Sequence, residues 1–256
     1  MTPPPHPIAP ARVLILHAPG TNRDGDLAEA IRSAGGHPEI VPLSRLAKKN
    51  TAWRTYAMLA LPGGFSYGDA LGAGRLWALE LQFAFADMLQ AFVHSGRPVI
   101  GICNGFQALV KAGILPGSNQ QATLTFNQSG HFECRWVTLT PNPSNHSPWL
   151  QGLAAFACPV AHGEGRFLMV PDQELDSKQV ALRYALPNGD PAGGRYPDNP
   201  NGSPDDIAGI TNPNGNVLGL MPHPENHIFA YQHPSWTWGS TAQLGVQLFI
   251  NGLRMA

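Results

Sequence analysis

The sequence predicts an α/β fold with a mainly parallel central sheet and additional antiparallel strands. In the first half of the chain, short apolar runs alternate with helical patterns, which is typical of βαβ units. In the second half, strand-like runs follow one another with few helices between them. The 256 residues suffice for one large domain, and no linker or repeat divides the sequence. We therefore expect a single domain over residues 12–256 behind a Pro-rich tail at residues 1–11.

Composition excludes several classes of function. The net charge is −1, only 13% of residues are charged, and the longest basic run is Lys48-Lys49. The electrostatic footprint of a protein that binds nucleic acid or an anionic membrane is therefore missing. Three cysteines at irregular spacing fit neither a disulfide framework nor a zinc site, so no metal is expected.

No secretory signal peptide is expected at the start of the sequence. Its first eleven residues, MTPPPHPIAPA, lack the basic and apolar regions of a signal peptide. Four polar residues interrupt the apolar stretch at 76–93, so that stretch is not expected to cross a membrane. A cytoplasmic protein is the resulting prediction.

The elements of the first half follow from apolar periodicity and turn residues. Arg12–His17 (RVLILH) is predicted as a buried strand, and a helix is expected from Asp24 to Gly35-Gly36. Pro38–Val41 predicts a second strand, and the apolar run Tyr56–Leu61 predicts a third.

Two helices frame a fourth strand. A long amphipathic helix is predicted over residues 73–95, and Arg97–Ile102 (RPVIGI) is predicted as the strand that follows it. A further helix over Gly105–Ala112 begins without an intervening loop. This strand and helix succession supports the parallel sheet covered on both faces.

Five strand-like runs characterise the second half: FECRWVTLT (132–140), CPVAH (158–162), QVALRY (179–184), IAGIT (207–211) and NVLGLM (216–221). Asn214-Gly215 predicts a hairpin turn between the last two. Residues 186–206 are rich in Pro, Gly, Asn and Asp, and predict a long irregular loop. A docking helix is expected at about residues 240–254.

The segment RPVIGICNGFQALV contains a candidate nucleophile, Cys103, where a strand runs into a helix. Its pattern G-x-C-x-G is the cysteine counterpart of the nucleophile elbow, whose strained turn requires small residues such as Gly101 and Gly105. The N–H groups that begin the helix favour a thiolate, and the N–H of Asn104 would face the oxyanion of a tetrahedral intermediate. Taken alone, the pattern also fits a buried cysteine in a packed α/β junction.

The segment LGLMPHPENH supplies a base and its partner. Pro224 directs His223 away from helical conformations, so we expect an extended segment with His223 and Glu225 on the same side. Glu225 would accept one imidazole N–H, and the other ring nitrogen would take the proton of Cys103. An isolated H-P-E also fits a surface turn, and only its combination with G-x-C-x-G favours the catalytic interpretation.

A third segment, LALPGGFSYGD (59–69), ends a strand with Pro-Gly-Gly. Gly63 and Gly64 allow the backbone to approach a ligand closely and to present N–H groups to it. The glycines alone are equally consistent with a tight turn.

Together these segments resemble the class I, or triad, glutamine amidotransferases, which are flavodoxin-like three-layer sandwiches. More narrowly, six blocks resemble the family of glutaminase subunits of phosphoribosylformylglycinamidine synthase: PGGFSYGD, GICNGFQ, NQSGHFECRWV, HGEGRF, NPNGS and GLMPHPE. The blocks keep the family's order from about residue 12 to the C-terminus. The Pro-rich leader and Asn226, where the family pattern usually has Arg, are departures that put local contacts in doubt and leave the triad intact.

The resemblance assigns the catalytic triad to Cys103, His223 and Glu225. It implies an oxyanion hole in which Gly64 or Phe65 of the PGGF turn acts with Asn104. Gln107, one helical turn beyond the nucleophile, would contact the substrate glutamine.

Two further segments receive less definite roles from the resemblance. The Asn127–His131 segment would help to bind the amino-acid end of glutamine. HGEGRF (162–167) either faces a synthetase partner or forms a structural loop, and the sequence does not decide between the two.

The resemblance also implies a partner enzyme. The chain has no G-x-x-x-x-G-K-[ST] motif and only four lysines, so no cofactor is expected in it. ATP and Mg would be used by a synthetase (large) subunit, with a small accessory subunit as a further partner. That complex would convert phosphoribosylformylglycinamide to the amidine in de novo purine (IMP) biosynthesis, with ammonia passed from this chain through a channel.

Two alternatives belong to other classes of protein. A cysteine hydrolase or peptidase-like relative shares the elbow, but it would act alone and would need neither the late PHPE segment nor glutamine selectivity. A non-catalytic regulatory subunit would keep the fold and lose a triad residue, and none is missing here. Within the amidotransferases, a synthetase for another nitrogen compound is opposed by the FSYGD and FECRWV blocks, through the resemblance alone.

Overall fold

A nine-stranded sheet organises the chain in the computed structural model, which describes residues 10–48, 52–117, 120–238 and 244–256. The strands are β1 (Arg12–His17), β2 (His37–Pro42), β3 (Met58–Leu61), β4 (Val99–Ile102), β5 (Ala122–Thr125), β6 (Glu133–Pro141), β7 (Phe156–His162), β8 (Arg166–Met169), β9 (Val180–Ala185), β10 (Ile207–Thr211) and β11 (Val217–Leu220). The helices are α1 (Asp24–Ser33), α2 (Leu43–Lys48), α3 (Arg75–Phe83), α4 (Ala86–His94), α5 (Asn104–Lys111) and α6 (Val246–Arg254).

The main sheet has the strand order β2-β1-β3-β4-β11-β10-β9-β6-β7. Its first five strands are parallel to one another, and every pairing from β11 onwards to β7 is antiparallel. Strands β5 and β8 form a separate antiparallel pair. The predicted α/β fold, mainly parallel with additional antiparallel strands, is thereby confirmed.

The helices cover the parallel strands on both faces. The connection from β1 to β2 passes through α1 towards one edge of the sheet, whereas that from β3 to β4 passes through α3 and α4 the other way. Because such crossovers are right-handed, the two sets of helices lie on opposite faces. Helix α6 packs beside α1, and α5 packs beside α3. The strand order reverses between β1 and β3. In open α/β sheets, ligands bind at the carboxyl ends of the strands beside such a reversal.

The core explains why the parallel strands were predictable. Residues Val13–Leu16 and Met58–Leu61 are fully buried along their whole length, as expected for strands covered on both faces. In β7 only alternate residues are buried, because one face of that strand lies outside the core.

The single helix predicted over residues 73–95 is wrong, because the chain forms α3 and α4 with an 84° bend between them. Phe85 leaves helical geometry with φ −128° and ψ 16°, and its ring is buried. A straight helix of that length would extend for about 34 Å, far beyond the four-residue strands beneath it. The bend lets Trp77 and Phe92 both reach the core.

The second half agrees with its predicted strands, and the sequence missed only the pair β5 and β8. The predicted hairpin joins β10 to β11 across Asn214-Gly215, and Gly215 has φ 74°. The predicted C-terminal helix is α6, and residues 240–243 of that prediction lie outside the described residues.

None of the helices in the described part of the chain combines the length and the apolar composition of a membrane span. Helices α3 and α4 have that length and composition only when they are taken together, across the 84° bend between them.

Candidate active site

The strand-to-helix elbow predicted around Cys103 is present. Strand β4 ends at Ile102, α5 begins at Asn104, and Cys103 between them has φ 49° and ψ −105°. A positive φ in a non-glycine residue is strained, so the surrounding packing must hold it. An added β-carbon at Gly105 would lie 2.1 Å from the carbonyl oxygen of Leu61. The crossing of helix and strand therefore requires glycine at that flank of the elbow.

His223 and Glu225 form a buried pair directly after β11. His223 Nδ1 lies 2.7 Å from Glu225 Oε1, and both side chains are almost completely buried. The backbone N–H of His223 donates to the carbonyl of Pro159 at 2.8 Å, which fixes the loop against β7. Because Nδ1 donates to the carboxylate, Nε2 is the ring nitrogen available for chemistry.

The conformation of this segment differs from the extended one that the sequence predicted. Pro224–Asn226 forms a 3-10 turn, and only His223 before it lies outside helical geometry, with φ −108° and ψ 82°. Proline suits the first position of such a turn, because its fixed φ is helical and the N–H it lacks has no partner there. Asn226, the departure from the family pattern, donates to Asp26 Oδ2 at 3.0 Å.

Gly63 shows how closely the nucleophile and the base approach each other. An added β-carbon at Gly63 would lie 2.7 Å from His223 Cε1 and 3.4 Å from Cys103 Cβ. One small residue of the PGG turn thus lies against both side chains. The structure brings Cys103, His223 and Glu225 together at the carboxyl ends of β4 and β11.

The charges around His223 favour its protonated form. Burial by itself lowers the pKa of His223, but the negative charge of Glu225 and the interaction with Cys103 outweigh burial and raise that pKa above its ordinary value. Behind the pair, Cys158 is fully buried, and burial together with the charge of Glu225 raises its pKa. Cys158 is therefore a packing residue and an inert thiol.

The PGGF turn has backbone geometry that favours Gly64 over Phe65 as an oxyanion donor. Gly64 has φ 134°, and an added β-carbon there would lie 2.6 Å from the backbone nitrogen of Asn22. The N–H of Phe65 donates to the carbonyl of Gly20 at 3.4 Å, whereas the N–H of Gly64 has no backbone partner among the described residues. The expected pairing of Gly64 with Asn104 in an oxyanion hole stays a prediction.

The side chains of Asn104 and Gln107 link three segments of the site. Asn104 Oδ1 accepts the N–H of Ser66 at 3.1 Å, and its Nδ2 donates to Asp69 and to Gln107 Oε1. Gln107 Nε2 donates to the carbonyl of Glu164 at 2.7 Å. The predicted contact between Gln107 and glutamine stays a prediction, while its bonds to the protein tie the elbow to the HGEGRF loop.

Asn127, in the segment expected to bind the amino-acid end of glutamine, has a fully engaged amide. Its Nδ2 donates to the carbonyls of His131 and His162, both at 2.8 Å, and its Oδ1 accepts from Gly165 N–H and from His162 Nδ1. The side chain of Asn127 is thus a brace for the HGEGRF loop. A direct role of this segment in substrate binding stays a prediction.

Sequence reasoning missed the contribution of β7, the edge strand of the sheet. Its carbonyls at Ala157, Pro159 and Ala161 point away from β6. They accept hydrogen bonds from His227 Nδ1, from His223 N–H and from the Cys103 thiol, the last at a sulfur–oxygen distance of 3.7 Å. The alternating pattern of the strand was visible in the sequence, but its partners were not.

Several buried polar atoms around the site have no hydrogen-bond partner among the described residues: Thr21 Oγ1, Ser66 Oγ, His162 Nε2, His223 Nε2 and Glu225 Oε2. Buried polar atoms are normally satisfied, so these five atoms are candidates for hydrogen bonds to a bound substrate. Within the same described ranges, no three His, Cys, Asp or Glu side chains are grouped as a metal site would require.

Comparison with known proteins adds to this geometry. The family model for the CobB/CobQ-like glutamine amidotransferase domain matches residues 10–255. A phosphoribosylformylglycinamidine synthase subunit PurQ from Treponema denticola is 52% identical over 246 residues, covering 88% of this chain and 91% of that relative. A subunit of the same name from Dehalococcoides mccartyi is 42% identical, covering 96% of this chain and 97% of the relative.

Solved structures agree with the sequence relatives. A chain of PurLQS from Thermotoga maritima matches with a TM-score of 0.73 and 32% identity, covering 96% of this chain and 98% of that one. A GMP synthase subunit from Thermoplasma acidophilum, 14% identical, shares the fold with a TM-score of 0.55 over 96% of this chain and 93% of that one.

Proposed function

The chain belongs to the CobB/CobQ-like glutamine amidotransferase family and, within it, to the family of PurQ subunits, and from this membership we propose that it hydrolyses glutamine to glutamate and ammonia. It does so as the glutaminase subunit of phosphoribosylformylglycinamidine synthase. The observation that carries the proposal is the strained Cys103 at an elbow, packed with the buried His223–Glu225 pair against Gly63.

The reaction begins with the imidazolium of His223 and the thiolate of Cys103. The thiolate attacks the carboxamide carbon of glutamine, and the carbonyl oxygen becomes an oxyanion that the N–H groups of Gly64 and Asn104 stabilise. His223 Nε2–H gives its proton to the nitrogen, the carbon–nitrogen bond breaks, and ammonia leaves. The product on the protein is a γ-glutamyl thioester.

Hydrolysis of the thioester uses the same residues in reverse. Neutral His223 removes a proton from water while the oxygen attacks the thioester carbon, and the same N–H groups hold the second oxyanion. Collapse releases glutamate and restores the Cys103 thiolate beside the imidazolium. Glu225 keeps the imidazole in the required tautomer and stabilises its charge through both steps.

The ammonia is consumed by a partner. The relatives' names and the PurLQS complex support assembly with further subunits of phosphoribosylformylglycinamidine synthase. We assign the use of ATP and Mg to a synthetase subunit and expect a small accessory subunit beside it, in the purine pathway that leads to IMP. Direct transfer between subunits keeps ammonia from being protonated and lost to water. We place this assembly in the cytoplasm and treat residues 12–256 as one domain, and we expect weak activity from the isolated chain.

The test uses the complex reconstituted with its synthetase and accessory subunits. The Cys103→Ala complex should lose glutaminase activity and glutamine-dependent amidine formation by a factor of at least about 10⁴. With ammonium chloride as nitrogen donor, the same complex should still form the amidine at the wild-type rate. The exposed Cys134 offers a matched control, since Cys134→Ala should leave both activities unchanged.

Two outcomes would contradict the proposal. Undiminished glutamine turnover by Cys103→Ala would remove the nucleophile, and failure of the ammonium-driven reaction in every complex would remove the synthetase assignment.

A further inference from the structure

His162, the last residue of β7, is a buried histidine that the triad mechanism leaves without a role. Its side chain is almost fully buried, and its Nδ1 lies 3.0 Å from Asn127 Oδ1. The orientation of that amide is fixed, because the other end of Asn127 donates to two carbonyls and Oδ1 also accepts the N–H of Gly165. An amide oxygen only accepts, so Nδ1 of His162 carries the hydrogen.

This tautomer makes Nε2 a pure hydrogen-bond acceptor. Burial, and secondarily the positive charge of His223, lower the pKa of His162 to about 3, so the ring stays neutral at physiological pH. Nε2 is buried and has no partner among the described residues. A buried acceptor without a donor is costly, which indicates that the donor arrives with a ligand.

The ring is held beside the reacting groups. The preceding residue, Ala161, accepts the thiol of Cys103, and His223 is close enough for its charge to act on His162. An added β-carbon at Gly165 would lie 2.5 Å from Cε1 and Nδ1 of the ring, so the imidazole lies flat against that glycine. His162 is therefore fixed in orientation from two sides, with only Nε2 left to bind.

The reaction requires an acceptor of this kind. In the tetrahedral intermediate the departing nitrogen carries two hydrogens and one lone pair, and the lone pair must meet the proton on His223 Nε2. A hydrogen-bond acceptor that engages one of the hydrogens turns the lone pair towards His223. A donor in the same place would compete with His223 for that lone pair.

We propose that His162 Nε2 accepts a hydrogen bond from the carboxamide N–H of glutamine and thereby orients the leaving nitrogen towards His223. The inference rests on the proposed glutaminase function and adds a fourth side chain to its chemistry. It also gives the HGEGRF loop a substrate role, which is neither the partner-facing role nor the structural role expected from the resemblance. The residue contacts the carboxamide and selects against acyl substrates whose leaving group offers no N–H.

The experiment compares two substrates that share an acyl group. Glutamine leaves ammonia, whereas the γ-methyl ester of glutamate leaves methanol and has no N–H at the reacting centre. Two variants separate the two ring nitrogens: His162→Asn keeps a donor near the Nδ1 position, and His162→Gln keeps an acceptor oxygen near the Nε2 position. Hydrolysis of both substrates is measured with the reconstituted complex, and thermal unfolding is followed in parallel.

For His162→Asn, kcat/KM for glutamine should fall by about 10²-fold, as for loss of one well-placed hydrogen bond in a transition state. For the ester it should change by less than about threefold, because no N–H is present to be held. His162→Gln should recover part of the activity towards glutamine. Equal losses on both substrates would overturn the proposal, since they would indicate a contact with the α-ammonium group or a structural role.

A spectroscopic measurement decides the question even if both variants fail to fold. In the Cys103→Ala complex labelled with ¹⁵N-histidine, saturating glutamine should shift the Nε2 resonance of His162 in the direction of hydrogen-bond acceptance, and the methyl ester should not. An unchanged resonance with glutamine bound would overturn the inference. If the wild-type complex hydrolyses no glutamine, the proposed function itself fails; if it does and the variants treat both substrates alike, only the role of His162 fails.

Discussion

The parallel and antiparallel halves of the main sheet contribute to the site in different ways. In the parallel half, β3, β4 and β11 each lead directly into a chemical segment: the PGG turn, the Cys103 elbow and the His223–Glu225 turn. In the antiparallel half, β7 and the loops around it contribute carbonyls and buried amides that hold those segments.

Edge strand β7 shows what the antiparallel half adds. An edge strand presents unpaired carbonyls that invite pairing with another chain. Here the catalytic loop and the elbow use those carbonyls, at Ala157, Pro159 and Ala161. The arrangement covers the edge and sets the position of His223 relative to Cys103 at the same time.

The irregular loop 186–206 contributes further hydrogen bonds that hold the HGEGRF loop in place. Asn201 is fully buried, and its Nδ2 donates to the carbonyl of Gly165 and to the hydroxyl of Tyr184. Gly165 in turn donates to Asn127, which holds His162. Reactive groups thus come from one half, and their placement comes from the other, so substitutions in the two halves should affect different measured quantities.

Apart from loss of the nucleophile itself, the largest effect is expected from Glu225→Gln in the parallel half. The amide keeps the shape of the carboxylate but can present a donor to His223 Nδ1, which favours the wrong tautomer and removes the charge that stabilises the imidazolium. We expect kcat for glutamine hydrolysis by the complex to fall by about 10³–10⁴-fold, with little change in KM. Glu29→Gln, at an exposed carboxylate on α1, should leave kcat unchanged. A loss below about tenfold would show that His223 needs no orienting group.

Gly63→Ala should produce the next largest effect. The new methyl group would lie 2.7 Å from His223 Cε1, so the imidazole must move away from the nucleophile. A displacement of this size should reduce kcat by about 10²-fold while the unfolding temperature changes little. Gly25→Ala is the matched control, because an added β-carbon there meets nothing within 4 Å. Equal activity in the two variants would mean that the PGG turn shifts to make room for the methyl group and leaves His223 in place.

The parts of the site that were predictable are those specified by neighbours in sequence. The elbow needs only Gly101, Cys103 and Gly105, and the buried pair needs only His223 and Glu225 two positions later. Continuous apolar runs likewise predicted β1, β3 and β4, because parallel strands covered on both faces contain few polar residues. The local conformation was less predictable, since the segment beginning at Pro224 is a 3-10 turn rather than extended.

The parts that were not predictable depend on partners far along the chain. His162 and Asn127 are 35 residues apart, and Asn201 reaches Gly165 across 36 residues. An asparagine or histidine in a loop-rich segment carries no local signal of such a partner, so HGEGRF remained undecided. The bend at Phe85 was missed for a related reason, because an unbroken helical pattern does not reveal where the core below it ends.

Asn201→Ala probes the antiparallel half at a distance from the chemistry. The variant leaves the carbonyl of Gly165 and the hydroxyl of Tyr184 without their donor in a buried site, which costs about 1–3 kcal/mol of unfolding free energy. Because the HGEGRF loop loosens, KM for glutamine should rise up to about tenfold while kcat changes less. Asn188→Ala, in the exposed part of the same loop, should change neither quantity. A fall in kcat comparable to that of Gly63→Ala would contradict the proposal that the antiparallel half only positions the reactive groups.

The smallest effect concerns stability at low pH. The two buried histidines, His162 and His223, change the free energy of unfolding with pH in opposite directions. His223, which follows the last parallel strand, has a raised pKa in the folded protein. Its contribution to the free energy of unfolding is therefore fully present below the pKa that it has in the unfolded chain, and this contribution is lost as the pH rises through the folded pKa. His162, in the antiparallel half, has a pKa that is lowered to about 3 in the folded protein. Between that value and its ordinary pKa, the unfolded chain binds a proton at this histidine and the folded chain does not. Stability should therefore decrease as pH falls below about 6.5, the unfolded value for histidine.

His162→Asn removes that second contribution because asparagine does not titrate. Between about pH 7 and pH 5, the titration of His162 should lower the unfolding free energy of the wild-type protein by up to about 2 kcal/mol. The unfolding free energy of the variant should lack this decrease. Urea unfolding at the two pH values measures the difference, and His94→Asn, at an exposed histidine, should behave as wild type. Parallel pH profiles for wild type and His162→Asn would mean that the imidazole takes up its proton over the same pH range in the folded protein as in the unfolded chain. The antiparallel half would then not hold the acceptor Nε2 in its neutral form at low pH.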